Sequence, residues 1–187
     1  MVTSDKTPAL TLCLFKEGVP METSLWKGVS MKKRIHPWFV TGIVEGEGCF
    51  SVSFNRRKRI SVGIETRPSF SISLSKQNLK LLKELREYFG CGAIRFSRSD
   101  RTYKYETRSV EDIAKKIIPH FERFPLQGDK RKDFEKFQKI VGMIRANLHL
   151  NRKKLREIIS VAYEMNPSGK RRYKKEDLLR VLSEVKV

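Results

Sequence analysis

The chain has 187 residues, 39% of them hydrophobic, enough for one main domain with a sizeable core. Its 40 Lys and Arg against 21 Asp and Glu give a formal charge of +19, a balance hard to reconcile with an ordinary metabolic enzyme and suited to a polyanionic partner. Nucleic acid fits better than an anionic membrane surface, because the sequence has no long apolar span and no strongly amphipathic basic helix to anchor it.

Residues 1–32 hold only a brief apolar run, ALTLCLF, with no basic stretch before it, and Asp5, Glu17 and Glu22 argue against a transit peptide. This stretch is expected to be a leader of unassigned role, with Met31 a conceivable internal start. From Pro37 the segment PWFVTGIVEG predicts a helix whose Val40, Ile43 and Val44 face a core. The period then becomes two: Phe50, Val52 and Phe54 alternate with Ser51, Ser53 and Asn55, as in a half-buried strand. After the basic turn NRRKR, a second, bent strand is predicted from Ile60, Val62 and Ile64 through an interruption at Pro68 to Phe70, Ile72 and Leu74. Asn78 can cap a helix that runs to Phe89 and stops at GCG. A second hairpin follows, AIRFS and TYKYETR about the turn SRSDR, and then a helix over about 110–121.

The fold class is therefore α+β: helix, hairpin, helix, hairpin, helix, with an antiparallel sheet. The rest reads as helical. Phe134, Phe137, Ile140 and Val141 form one stripe, and helices over 151–164 and 175–185 flank the basic loop NPSGKRRYKK. Residues 33–187 are expected to form a single domain with a helical extension from about 145, and the 37–122 block is not repeated. Cys13, Cys49 and Cys91 lie far apart with no C-x-x-C pair, which favours a reducing compartment over a zinc or disulfide scaffold.

The chemistry concentrates in GIVEGEGCF, residues 42–50. Gly42 and Gly46 are four apart, on one helix edge beside Phe39 and Ile43, a spacing that lets a second backbone approach closely and is best attested in membrane helices. The plainer reading is that Gly46 or Gly48 only ends the helix. Glu45 and Glu47 are two residues, or about 200°, apart, so a single ion is not readily chelated by both. They must do different work. A carboxylate at the helix end suits Mg²⁺, which takes one or two carboxylates together with water and phosphate oxygens. A second carboxylate could come from a second chain packed on the glycine edge.

VTGIVEGEG, Val40 to Gly48, resembles the motif of the LAGLIDADG homing endonucleases, and CFSVSF resembles the strand that follows it there. The resemblance continues through FSISLSKQNLKLLKELREYFGCG, FPLQGDKRKDFEKF and NPSGKRRY, to about residue 180. It implies an αββαββα core with a saddle-shaped sheet and, with one motif copy, a homodimer joined through Phe39, Gly42, Ile43 and Gly46. It also implies Glu47 as catalytic metal ligand, the carbonyl of Gly46 as a further ligand, and Glu45 as a structural support. The ion implied is Mg²⁺, with Mn²⁺ able to substitute. Lys130 falls where the family carries a basic active-site residue, where it could stabilise charge on the phosphate; otherwise Lys130 and Lys132 are solvated charges at a helix start. The family's polar, water-positioning strand residue aligns with Leu74, beside Ser75, and that role stays unassigned. His36, His120 and His149 are scattered and read as structural.

The reaction implied is hydrolysis of one phosphodiester per strand of a long, nearly palindromic duplex. Base readers are expected on the polar strand faces: Ser51, Ser53, Asn55, Arg57, Ser71, Arg95 and Ser97, with Arg95 the best candidate for guanine. Arg56, Lys58, Arg59, Arg98, Arg101 and Lys104 are expected to position the phosphate backbone. GKRRYKK either touches flanking backbone or is a soluble loop. Two other readings remain, an intron RNA-splicing maturase on the same fold and a non-catalytic DNA-binding regulator; retention of both acids favours cleavage. The protein is expected where its host genome lies, in an organelle (mitochondrion or chloroplast) or a prokaryotic cytoplasm.

Overall fold

A computed structural model describes residues 35–167 and 169–184. The leader, Met31 and Cys13 lie outside the described residues. The elements run α1 (Pro37–Glu47), β1 (Gly48–Arg56), β2 (Ile64–Ser75), α2 (Leu79–Phe89), β3 (Ala93–Ser97), β4 (Thr102–Thr107), α3 (Val110–Asp112), α4 (Ile118–Arg123), α5 (Lys130–Arg145), α6 (Arg152–Tyr163) and α7 (Lys175–Glu184). The strands form one antiparallel sheet in the order β1-β2-β4-β3. Among the described residues no helix is long and apolar enough to cross a membrane.

Alternation in β1 divides the sheet into two faces. Phe50, Val52 and Phe54 are buried, and register carries their face across the sheet to Phe70, Ile72 and Tyr105. Leu82, Leu85 and Phe89 of α2, Phe121 of α4, and Phe134 and Phe137 of α5 complete this core. Phe50 stands at its centre, with ring centroids 5.2–5.4 Å from Phe70, Phe121, Phe134 and Phe137. Its burial contributes on the order of 2–3 kcal/mol and fixes β1 immediately after α1. Beneath the outer half of β1, Tyr163 of α6 stacks on Phe54 at 6.3 Å, while Leu155, Ile158 and Ile159 of α6 and Leu178 and Leu182 of α7 are buried.

Three sequence expectations need correction. The second strand starts at Ile64, since Arg57–Gly63 closes on itself: the N–H of Arg57 bonds the carbonyl of Gly63, and Gly63 lies at φ 73°, outside strand geometry. Val62 is buried as a loop residue, so its apolar spacing imitated a strand. Pro68 does not interrupt β2. It pairs with Val52 on one side, and on the other β4 begins its ladder only at Phe70, so its missing N–H breaks no bond there. Asn78 sits at the start of α2 without capping it, because a 3₁₀ turn, Lys76–Asn78, intervenes and its amide donates to Ser75 Oγ at 3.2 Å. The stop after Phe89 is as expected, with Gly90 at φ 60°. Between α3 and α4 the chain widens into a π-helical turn, Ile113–Ile117, just ahead of Pro119, which has no N–H and needs room for its ring.

Candidate active site and nucleic-acid interface

α1 passes into β1 without a connecting residue, and this close passage accounts for Gly48. Gly48 ends the helix at φ −80°, where any residue could sit, but a Cβ there would stand 2.5 Å from Val44 Cγ1 and 2.7 Å from the Val44 carbonyl oxygen. The two acids diverge. Glu45 Oε1 accepts the N–H of Gly128, so this carboxylate ties the end of α1 to the loop before α5, while its Oε2 is buried with no partner. Glu47 is exposed and, among the described residues, makes no hydrogen bond or ion pair. Lys130, the first residue of α5, donates its ammonium to the carbonyl of Gly48. Lys132 pairs with the exposed Asp129, at 2.9 Å. One helix end thus gathers a free carboxylate, the last-turn carbonyls that have no helical donor, and a cation.

Along the outer edge of α1 the backbone is bare. A Cβ at Gly42 or at Gly46 would meet nothing within 4 Å, and Trp38 and Phe39 beside them are 48% and 53% exposed, with Ile43 half-buried. The inner edge is anchored by Val40 and Val44 and by a buried polar chain. Thr41 Oγ1 gives its proton to the carbonyl of Phe124 (2.9 Å), so it accepts from His120 Nε2 (3.2 Å), and His120 Nδ1 accepts from the hydroxyl of Tyr88 (2.9 Å). The network selects the neutral Nε2–H ring, and burial pushes its pKa down to about 4 from the usual 6.5. Above pH 6.5 the ring is neutral folded or unfolded; below it only the unfolded chain takes up the proton, until the folded ring titrates near pH 4. His120 should therefore cost about 2–4 kcal/mol of stability as pH falls from 6.5 to 4. Denaturant titrations of wild type and His120→Gln across that range check it, since only the wild type should carry this part of the slope.

The open face of the sheet is a polar platform. Register aligns Ser51, Ser53 and Asn55 of β1 with Ser69, Arg67 and Glu65 of β2, then Ser71 and Ser73 with Glu106 and Lys104 of β4, and these in turn with Ala93 and Arg95 of β3. Ser97 faces Thr102 at the end of the second hairpin. Arg95 and Lys104 stand directly opposite each other, a like-charge pairing that disfavours the isolated sheet and suits an anion above it. Two acids moderate the charge. Glu65 is held below the usual carboxylate range by its bond from Arg67, with Arg57 adding to it against slight desolvation. Glu106 is raised by burial, but Ser69, Lys104 and Arg108 together outweigh that and lower it.

Most of the expected readers share this face, with differences. Ser71 is on it yet only 4% exposed, a short side chain forming the floor between Cys49 and Glu106, so it presents no hydroxyl to a groove. Arg57 leaves the strand and pairs with Glu65. Arg56 turns to the other side and stacks over the ring of Tyr173, 5.2 Å from its centroid. Lys58, Arg59, Arg98 and Arg101 are exposed in the two hairpin loops. Lys104 lies within the platform, opposite Arg95. Glu65, Arg67 and Glu106 were missed, although the alternation of ETRPSFS would have found the first two once β2 was started at Ile64. Leu74 is on the core face opposite Tyr103, and Ser75, opposite Thr102, is exposed. The basic loop after α6 runs along the free edge of β1: Asn166 Nδ2 donates to the carbonyl of Phe50 (2.7 Å), and Arg172 Nη1 donates to Asn55 Oδ1 (3.3 Å).

The structure thus defines an α+β protein whose open sheet face is polar and rich in cations and adjoins a helix end that bears an acid unpaired among the described residues. The family model for LAGLIDADG endonucleases matches residues 40–141, and the chain belongs to that family. The crystal structure of the homing endonuclease I-TnaI superposes with TM-score 0.71 at 35% identity, covering 81% of this chain and 99% of that one. I-SmaMI, bound to an uncleaved DNA target in the presence of calcium ions, superposes with TM-score 0.72 at 28% identity, covering 80% of this chain but 49% of that one. A Neurospora crassa protein named "Probable intron-encoded endonuclease 3" is 34% identical over 134 residues, 71% of this chain and 25% of its own length. The chain thus spans about a quarter of the length of that protein.

Proposed function

We propose that the chain is a site-specific DNA endonuclease that acts as a homodimer and depends on a divalent metal ion. The observation that carries this reading is the end of α1, where the Glu47 carboxylate, unpaired among the described residues, and the carbonyls of the last turn adjoin Gly48, whose carbonyl accepts from the Lys130 ammonium. The donor set fits a hard cation: Glu47 and the Gly46 carbonyl are oxygen donors at the negative pole of a helix. Among the described residues no three His, Cys, Asp or Glu side chains converge, so the remaining ligands would be water, phosphate and a second chain. When bound, Mg²⁺ or Mn²⁺ supplies activation of a water and neutralisation of charge at the scissile phosphate. Lys130 keeps two further N–H donors for phosphate oxygens, and Glu45 holds the loop that carries it.

Two copies are supported by the bare glycine edge, where a Cβ at Gly42 or Gly46 would meet nothing within 4 Å and Trp38 and Phe39 stand half-exposed beside it. Each copy would lay its platform along half of a nearly palindromic target, in the compartment that holds a genome with the host intron. Incubating the protein with a plasmid library in Mg²⁺, Mn²⁺ or EDTA and sequencing the cut ends tests this. We expect a double-strand break at one near-palindromic sequence with either metal and none in EDTA. Metal-independent cutting, or no cutting of any sequence, overturns it.

A further inference from the structure

The segment that follows α6 does more than cover an edge. It is pinned at several points: Arg171 donates to the carbonyls of Ala162 and Met165, both at 2.6 Å, and the Tyr163 hydroxyl donates to the carbonyl of Tyr173 at 2.6 Å. The ring of Tyr173 lies beneath two guanidiniums, with Arg56 at 5.2 Å and Arg172 at 5.5 Å from its centroid. Between this segment and the open half of β1 is a cavity of about 500 Å³, lined in part by Ser51 and Ser53. Arg172 is thus braced on both sides where it reaches Asn55 on the platform.

An arginine can only donate, so the Asn55 atom facing it is the carbonyl oxygen, and the NH₂ group points away. This changes what Asn55 can read. A free asparagine recognises adenine with two bonds, its oxygen accepting from N6 and its nitrogen donating to N7. With one lone pair of Oδ1 held by a guanidinium, that oxygen sits under positive potential that opposes the N6 donor of adenine, while both N–H donors of Asn55 stay free for guanine, whose N7 and O6 are adjacent acceptors. Asn55 lies seven residues beyond Gly48, or about 23 Å along the strand, a length that would span about seven base pairs of a duplex laid along β1.

We propose that Arg172, outside the stretch matched by the family model, is a specificity-determining residue: by setting a cation on Asn55 Oδ1 it turns the preference of Asn55 from adenine to guanine at the outer part of each half-site. This rests on the DNA-reading function proposed above. It is tested by selecting bound sequences from a randomised duplex pool in EDTA, then measuring relative affinities for all four bases at each position. For wild type we expect a consensus with guanine at a position six to eight pairs from the centre. Arg172→Ala should move that position, and its mirror, toward adenine by roughly tenfold and leave the others unchanged. Arg172→Lys, which retains a donor for Oδ1, should keep guanine, and Asn55→Ala should flatten the position with or without Arg172. A uniform loss of affinity across all sequences in Arg172→Ala would mark a phosphate contact and overturn the proposal, as would an unchanged profile. Absence of any wild-type consensus would instead sink the DNA-reading function beneath it.

Discussion

Glu47→Gln is expected to bind the target duplex and fold like the wild type, yet to cut at least about 10²–10³-fold more slowly with Mg²⁺ present. Folding should be preserved because the side chain is exposed and makes no bond among the described residues; such replacements usually stay within about 0.5 kcal/mol. Binding should be preserved because affinity comes chiefly from the platform and its cations, and removing one nearby negative charge does not oppose a polyanion. Only the hard oxygen donor for the ion is weakened, since an amide is a neutral and poorer ligand. Glu45→Ala is the informative contrast. It removes the oxygen that accepts the N–H of Gly128 in the loop leading to Lys130, so its effect should appear as a lower unfolding midpoint. Single-turnover cleavage and thermal unfolding of both variants separate the roles; a Glu47→Gln protein that cuts at the wild-type rate removes the proposed site.

Much of this architecture was legible because single elements carry clean periods. Phe50, Val52 and Phe54 against Ser51, Ser53 and Asn55 give both the strand and its open face, and Phe134, Phe137, Ile140 and Val141 give α5 and its buried stripe. The failures have one physical origin: local pattern says nothing about where hydrogen bonds close. Val62 has strand-like spacing, but Gly63 turns the chain, and Pro68 looks like a break until the short ladder of β4 shows that nothing needed its N–H. The site divides in the same way. The two acids of GIVEGEGCF could be assigned different jobs because 200° separates them on a helix, whereas Thr41 bonding to His120 and Asn55 to Arg172 join residues 79 and 117 positions apart. Contacts of that range arise from packing and leave no short-range trace.

The second large effect should come from Gly42→Leu. In the single chain this substitution has room, since a Cβ at Gly42 meets nothing within 4 Å, and leucine is a better helix former than glycine by roughly 0.5–1 kcal/mol. One chain alone therefore gives no reason for glycine at 42 or at 46. A second α1 crossing this edge does: helix axes pack 8–10 Å apart in general, and two glycines one turn apart let the backbones come to the near end of that range. Phe39 and Trp38, half-exposed here, would be covered by the same contact, at about 2 kcal/mol for each side chain buried. Because Gly46 precedes Glu47, joining the two edges would also bring the two Glu47 carboxylates toward one another, the pairing on which the proposed cleavage of both strands would depend. Gly42→Leu should thus yield a folded protein that sediments as a monomer and makes no double-strand breaks, while Gly42→Ala, with one methyl to accommodate, should show a weaker form of the same defect. A wild-type protein that is monomeric on its duplex, or a Gly42→Leu variant that remains dimeric and active, would show that this edge serves neither assembly nor chemistry.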